Sequence, residues 1–101
     1  MLVYIQGGGY ATNSNPNYNG TEIIRSSGGN IVLVNFNYRV GVLGFLASET
    51  VRQDGDLNVG LLDQRLLLLW VQKHISKVCL QTFTKHSLCR QLTIFVLLVW
   101  W

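Results

Sequence analysis

The alternation of apolar and polar positions divides this chain into a few elements. Leu2-Val3-Tyr4-Ile5 is an unbroken apolar run rich in β-forming residues, and Gly7-Gly8-Gly9 stops it. It reads as a buried strand over about residues 2–6 that leaves its sheet through a tightly bent loop. Asn13 to Gly20 is polar and turn-rich, because Asn and Ser side chains bond to nearby backbone and Asn tolerates left-handed geometry. Thr21 is then placed to cap a helix of about two turns through Ser26, with Gly28-Gly29 closing it. Ile31 to Tyr38 is the clearest strand, apolar on both faces at its start, as in a sheet covered on both sides. Strand, short helix, strand predicts a parallel pair, about 2–6 and 31–38, joined by a right-handed crossover.

Arg39 to Leu57 reads as a long connection broken by Gly41, Gly44 and Gly55, with Phe45-Leu46-Ala47 tucked against the body. Asp56 or Asn58 opens the strongest helix, about residues 59–77. Leu62, Leu66, Leu69, Trp70, Val71 and Ile75 trace its broad apolar stripe, while Asp63, Gln64, Gln72 and Lys73 give a more polar side. Leu66-Leu67-Leu68-Leu69 is wider than one stripe needs, which predicts burial around much of the girth. After Lys77 the pattern dissolves: Val78 to Gln91 has no clean period, and Ile94 to Trp101 reads equally as strand or helix. The apolar run from Leu92 is about half the roughly 20 residues of a membrane-spanning helix, so no span is expected.

These elements define an α/β fold, and 101 residues are too few for a complete doubly wound sheet. The expected organisation is a partial α/β domain over 1–77 and a divergent apolar tail over 78–101. With 49% hydrophobic and 13% charged residues, and a mean hydropathy of +0.26, the chain wants to be buried and is far from the composition of disorder. Its net charge of +3 is scattered rather than gathered into a stripe among exposed aromatics, which argues against a nucleic-acid partner. Cys79 and Cys89 are too few and too close for a disulfide framework or a zinc site, and no metal or cofactor is expected. No basic segment or cleavage site precedes Leu2, so no signal peptide is read; the compartment stays open, between an intracellular product and a chain whose true beginning is missing.

The glycine triplet carries the chemistry. Acyl transfer requires stabilisation of a tetrahedral oxyanion, and backbone N–H groups reach it only where side chains leave room. Three glycines alone are more often a simple turn. A phosphate-loop reading fails, since no Lys-Ser or Lys-Thr follows at that spacing.

The triplet has company, however. Gln6-Gly7-Gly8-Gly9-Tyr10, Asn37-Tyr38-Arg39-Val40-Gly41 with Gly44-Phe45-Leu46, Asn58-Val59-Gly60-Leu61-Leu62-Asp63-Gln64-Arg65, and Trp70-Val71 follow one another in order. Together they resemble the successive signatures of the type-B carboxylesterase and cholinesterase-like family, over residues 1–77. The resemblance implies an α/β-hydrolase fold, a serine-esterase activity on small ester substrates, and an oxyanion hole in which Gly8 and Gly9 donate their N–H groups while Gly7 supplies the bend. Many members have His where this chain has Gln6. The resemblance also implies a structural, buried ion pair between Arg39 and Asp63; the plain alternative is two solvated charges. Complete relatives are often secreted.

No serine of the chain stands in a G-x-S-x-G elbow, and no histidine is placed to act as base: His74 lies within the helical pattern and His86, beside Ser87, in the tail. The catalytic triad is therefore absent, and the isolated chain is expected to be inactive. The family pattern fails near Val78, where a glycine-and-aspartate turn would follow, so 78–101 is read as out-of-frame or intron-derived. Two other functions stay open: a fragment of a non-catalytic adhesion protein of the same fold, and a decayed gene product whose exposed strand edges and tail favour aggregation. Asn19-Gly20-Thr21 fits the N-glycosylation pattern, as many triplets do by accident.

Overall fold

The computed structural model describes residues 1–14, 17–82 and 95–98. The elements run β1 (Leu2–Ile5), α1 (Thr21–Ser26), β2 (Leu33–Phe36), α2 (Gly41–Phe45), α3 (Glu49–Asp54), α4 (Val59–Thr82) and β3 (Phe95–Leu98). The strands form one sheet in the order β2-β1-β3. Both pairings are parallel: Leu2 lies opposite Leu33 and Phe95, and Ile5 opposite Phe36 and Leu98. This is the α/β architecture expected, with the strand pair and long helix in their predicted places.

β1 is central, and all four of its residues are buried. Successive side chains alternate across the sheet. Val3 and Ile5 form the core with Tyr38, Val71 and Ile75, which puts α4 on that face. Tyr4 points the other way and stacks on Tyr18, ring centroids 4.1 Å apart, so the crossover connection covers the opposite face. A parallel strand enclosed on both faces can be apolar at every position, which is why Leu2 to Ile5 shows no alternation.

Several expectations are corrected. Thr21 does not cap α1: Gly20 occupies the cap position, and the Thr21 N–H and hydroxyl both donate to Asn19 Oδ1, at 3.0 and 2.6 Å. The Thr21 hydroxyl is thereby engaged with a side-chain acceptor two residues upstream rather than with the helix's first N–H groups. The connection after Arg39 holds two short helices. Gly41 and Gly44 make α2 a poor helix on propensity, which hid it. At the start of α3, Ser48 Oγ accepts the Val51 N–H at 3.1 Å as a cap should. α4 continues beyond residue 77, to Thr82, and β3 falls within the segment read as a tail.

The face assignment of α4 is also corrected. The side turned to the sheet runs through Gly60, Gln64, Val71 and Ile75, all buried, with Leu67 and Leu68 partly so. Leu62, Leu66, Leu69 and Trp70, expected inside, are 37%, 67%, 50% and 50% exposed. Both stripes have helical spacing, and the sequence contains no rule for choosing between two apolar faces.

Truncating Val71, which is 0% exposed, to Ala should lower the unfolding free energy by about 2–3 kcal/mol through lost transfer energy and a residual cavity. Leu66→Ala on the open face should change it by no more than about 0.5 kcal/mol. Denaturant titration of both variants checks the assignment, and equal costs would refute it.

Candidate functional site

The site begins where β1 ends. Gln6 is 2% exposed, and its backbone carbonyl accepts the Tyr38 hydroxyl at 2.9 Å across a separation of 32 residues. Burial, with the neighbouring Tyr10 adding to it, pushes the Tyr38 phenol above its ordinary pKa, which keeps it a donor. That bond pins the exit of β1 to the exit of β2. The Gln6 side-chain amide donates to Asn13 Oδ1, while its Oε1 is buried with no partner among the described residues.

Beyond Gln6 the chain reverses in a few residues. The Gly7 carbonyl accepts the Ser14 hydroxyl at 2.8 Å and the Ser14 N–H at 3.4 Å; the Gly8 carbonyl accepts the N–H groups of Ala11 and Thr12 at 3.0 and 3.1 Å. Gly8, Gly9 and Tyr10 all have positive φ, at 124°, 58° and 63°. A Cβ on Gly8 would lie 2.0 Å from the Thr12 carbonyl oxygen, so no side chain fits there. At Gly9 a Cβ would meet nothing within 4 Å, and only the backbone angle selects glycine. Among the described residues, neither the Gly8 nor the Gly9 amide donates a backbone hydrogen bond.

Tyr10 fastens the far side of the loop. Its carbonyl accepts the Gly41 N–H at 2.7 Å, and its ring packs on Phe45 at 5.2 Å between centroids. The first turn of α2 therefore holds the glycine loop from outside the sheet. Asn13, Ser14 and Tyr38 were not singled out from the sequence. Asn13 and Ser14 stood in a recognised turn cluster, but no local signal links Tyr38 to Gln6.

Arg39 and Asp63 meet in a forked geometry: Nε to Oδ2 at 2.8 Å and a terminal guanidinium nitrogen to Oδ1 at 2.7 Å, with the Arg39 backbone N–H also on Oδ2 at 3.1 Å. The pair joins the exit of β2 to the start of α4. Buried it is not, since the side chains are 56% and 23% exposed; Arg39 lies along the surface between the two elements. A Cβ on Gly60 would come within 2.4 Å of the Arg39 carbonyl oxygen, so the absence of a side chain there lets this backbone approach α4. Arg39, Asp63, Asn13, Asn37, Tyr38 and Val40 line an open concavity of about 350 Å³.

Of the remaining candidates, His74 packs on Trp70, ring centroids 5.2 Å apart, and does not approach the glycine loop. His86, Ser87 and Cys89 lie outside the described residues.

Hydrogen bonds from Arg39 hold the Asp63 carboxyl below its ordinary pKa. A carboxyl with a depressed folded-state pKa contributes stability above the unfolded value, and that contribution disappears as pH falls through the folded value. Asp63→Asn should therefore lower Tm at neutral pH, with the gap to wild type closing progressively in acid. Melting curves across that range check this, and a gap that does not depend on pH would overturn it. Exposure of Arg39 to solvent keeps the effect smaller than for an enclosed pair.

Residues 1–78 match the model of the Carboxylesterase family. The crystal structure of EstA from Aspergillus niger superposes with a TM-score of 0.70 at 68% sequence identity, covering 73% of this chain and 14% of that one. Secreted lipase 4 of Gibberella zeae is 47% identical over 75 residues, which are 74% of this chain and 14% of the lipase. The cholinesterase of Mus musculus is 44% identical over 78 residues, 75% of this chain and 12% of that protein. The chain thus spans about 14% of the length of its relatives. Among the described residues no helix is long and apolar enough to cross a membrane. An α/β sheet with a left-handed glycine loop at the end of its central strand, matched over 1–78, makes this chain a member of the carboxylesterase family.

Proposed function

We propose that residues 1–77 supply the oxyanion-binding corner of a serine esterase, with Gly8 and Gly9 as N–H donors and Gly7 as the bend that aims them. The observation carrying this reading is the pair of left-handed glycines directly after β1, whose amides are free of backbone partners among the described residues. In ester hydrolysis a nucleophile adds to the carbonyl carbon, and the carbonyl electron pair moves onto oxygen. Donors already fixed at that position stabilise the charge without reorganising. The carbonyls of Gly7 and Gly8 are occupied within the loop, so the opposite edges of those peptides face outward as donors. The names of the similar lipase and cholinesterase support carboxylic esters as the substrate class.

The nucleophile, acid and base of that reaction have no counterparts in this sequence, so the chain alone turns over no ester. Residues 78–101 are a foreign continuation, out-of-frame or intron-derived; the end of the family match at residue 78 supports this.

A model-ester hydrolysis assay should give no turnover above background for this chain, and measurable turnover for a version extended in frame to carry the family's nucleophile elbow together with its acid and histidine. In that extended enzyme, Gly8→Ala should lower kcat by about 10²–10³-fold, the loss expected when an oxyanion donor is displaced, with a smaller change in KM. Unchanged kcat in the Gly8 variant would sink the oxyanion assignment.

A further inference from the structure

The crossover side of the sheet holds a feature that ester chemistry does not use. Asn19-Gly20-Thr21 is the only Asn-x-Ser/Thr triplet in the chain. Both neighbours of Asn19 are anchored, and Asn19 itself is exposed. On one side, Tyr18 stacks on Tyr4 of β1, and the Tyr18 carbonyl accepts the Asn35 side-chain amide of β2 at 3.5 Å. On the other, Gly20 is buried so closely under β2 that a Cβ would lie 1.8 Å from Leu33 Cδ2. With both neighbours drawn toward the sheet, the Asn19 side chain is left outside, and Asn19, Thr21 and Glu22 are all exposed.

The local bonding suits the chemistry of amide glycosylation. Asn19 Oδ1 accepts both the Thr21 N–H, at 3.0 Å, and the Thr21 hydroxyl, at 2.6 Å. Two donors on that oxygen draw electron density from the carboxamide and make its N–H more acidic. Asn19 Nδ2 has no hydrogen-bond partner among the described residues and is open to solvent. The hydroxyl of a residue two positions on is what the Asn-x-Ser/Thr pattern requires, and here it already engages the acceptor amide. The same bonds also begin α1, so geometry favours the modification without the modification being needed for the turn.

We propose that Asn19 is an acceptor for an N-linked oligosaccharide. The donor is an oligosaccharide activated as a lipid-linked pyrophosphate. Asn19 Nδ2 gives up one proton to a carboxylate base of the transferase and forms a C–N bond to the anomeric carbon. The bond from that carbon to the pyrophosphate oxygen breaks, and the lipid pyrophosphate leaves with the electron pair. The sugar would project from the crossover face, opposite α4, where it displaces no packed residue.

The test is to direct the full chain into a eukaryotic secretory pathway with an appended C-terminal tag containing an independent acceptor site. Only chains whose tag carries sugar are scored, so every molecule analysed has met the transferase whether or not it folded. Peptide mapping after enzymatic deglycosylation should find Asn19 converted to Asp in the majority of such chains. Asn19→Gln and Thr21→Val should abolish occupancy at this position, and Thr21→Ser, which keeps the hydroxyl, should retain it. Chains glycosylated on the tag but bare at Asn19 would overturn the proposal, as would a Thr21→Val chain still occupied at Asn19.

Discussion

Enclosure of β1 is the constraint on which the rest depends. A strand with neighbours on both edges and layers on both faces has no direction left that faces water, so each of its residues is buried and its backbone pairs with a strand on either side. The chain can leave such a strand only at its end, and it must do so without displacing β2 or α4. Gly7 to Tyr10 is the resulting reversal. Its tightness, with the Thr12 carbonyl crowding Gly8, follows from returning the chain across the crossover face within a few residues. That the Gly8 and Gly9 amides have no backbone partner among the described residues is thus a by-product of sheet geometry.

What holds this turn is distributed over the fold. Tyr38, at the exit of β2, reaches the Gln6 carbonyl; Gly41, opening α2, reaches the Tyr10 carbonyl; Ser14 closes on Gly7. The exit of β2 and the start of α2 therefore each contribute a fastening to the loop, and the Arg39–Asp63 fork ties the exit of β2 to α4. This explains how short helices of poor propensity persist: α2 owes its place to its contacts at both ends rather than to its own five residues.

The legible part of the fold was the part written locally. An apolar run ended by glycines, a second such run, and a long periodic segment located β1, β2 and α4 within a few residues. The family signatures, which are long and ordered, carried the site glycines and the Arg39–Asp63 pairing. Features hidden from the sequence all depend on partners remote along the chain. The Tyr38 to Gln6 bond spans 32 residues, and the exposure of the Arg39–Asp63 fork depends on how near the surface two elements happen to meet. Thr21 failed as a cap for a local reason of a different kind, since its hydroxyl donates back to Asn19 and Gly20 takes the cap position.

α4 carries two apolar faces. One face, through Val71 and Ile75, is satisfied by the sheet; the other, through Leu62, Leu66, Leu69 and Trp70, is open and borders a groove of about 420 Å³ reaching Phe36 of β2. A helix apolar around most of its circumference has the composition of one enclosed between layers. A chain that spans about 14% of its relatives supplies only one of those layers. The excess of leucine from Leu66 to Leu69, which misdirected the face assignment, therefore has the pattern of a helix covered on both sides. Surface of this kind is costly to leave in water, and it sets a physical limit on how well these residues, taken alone, can hold the glycine loop in place.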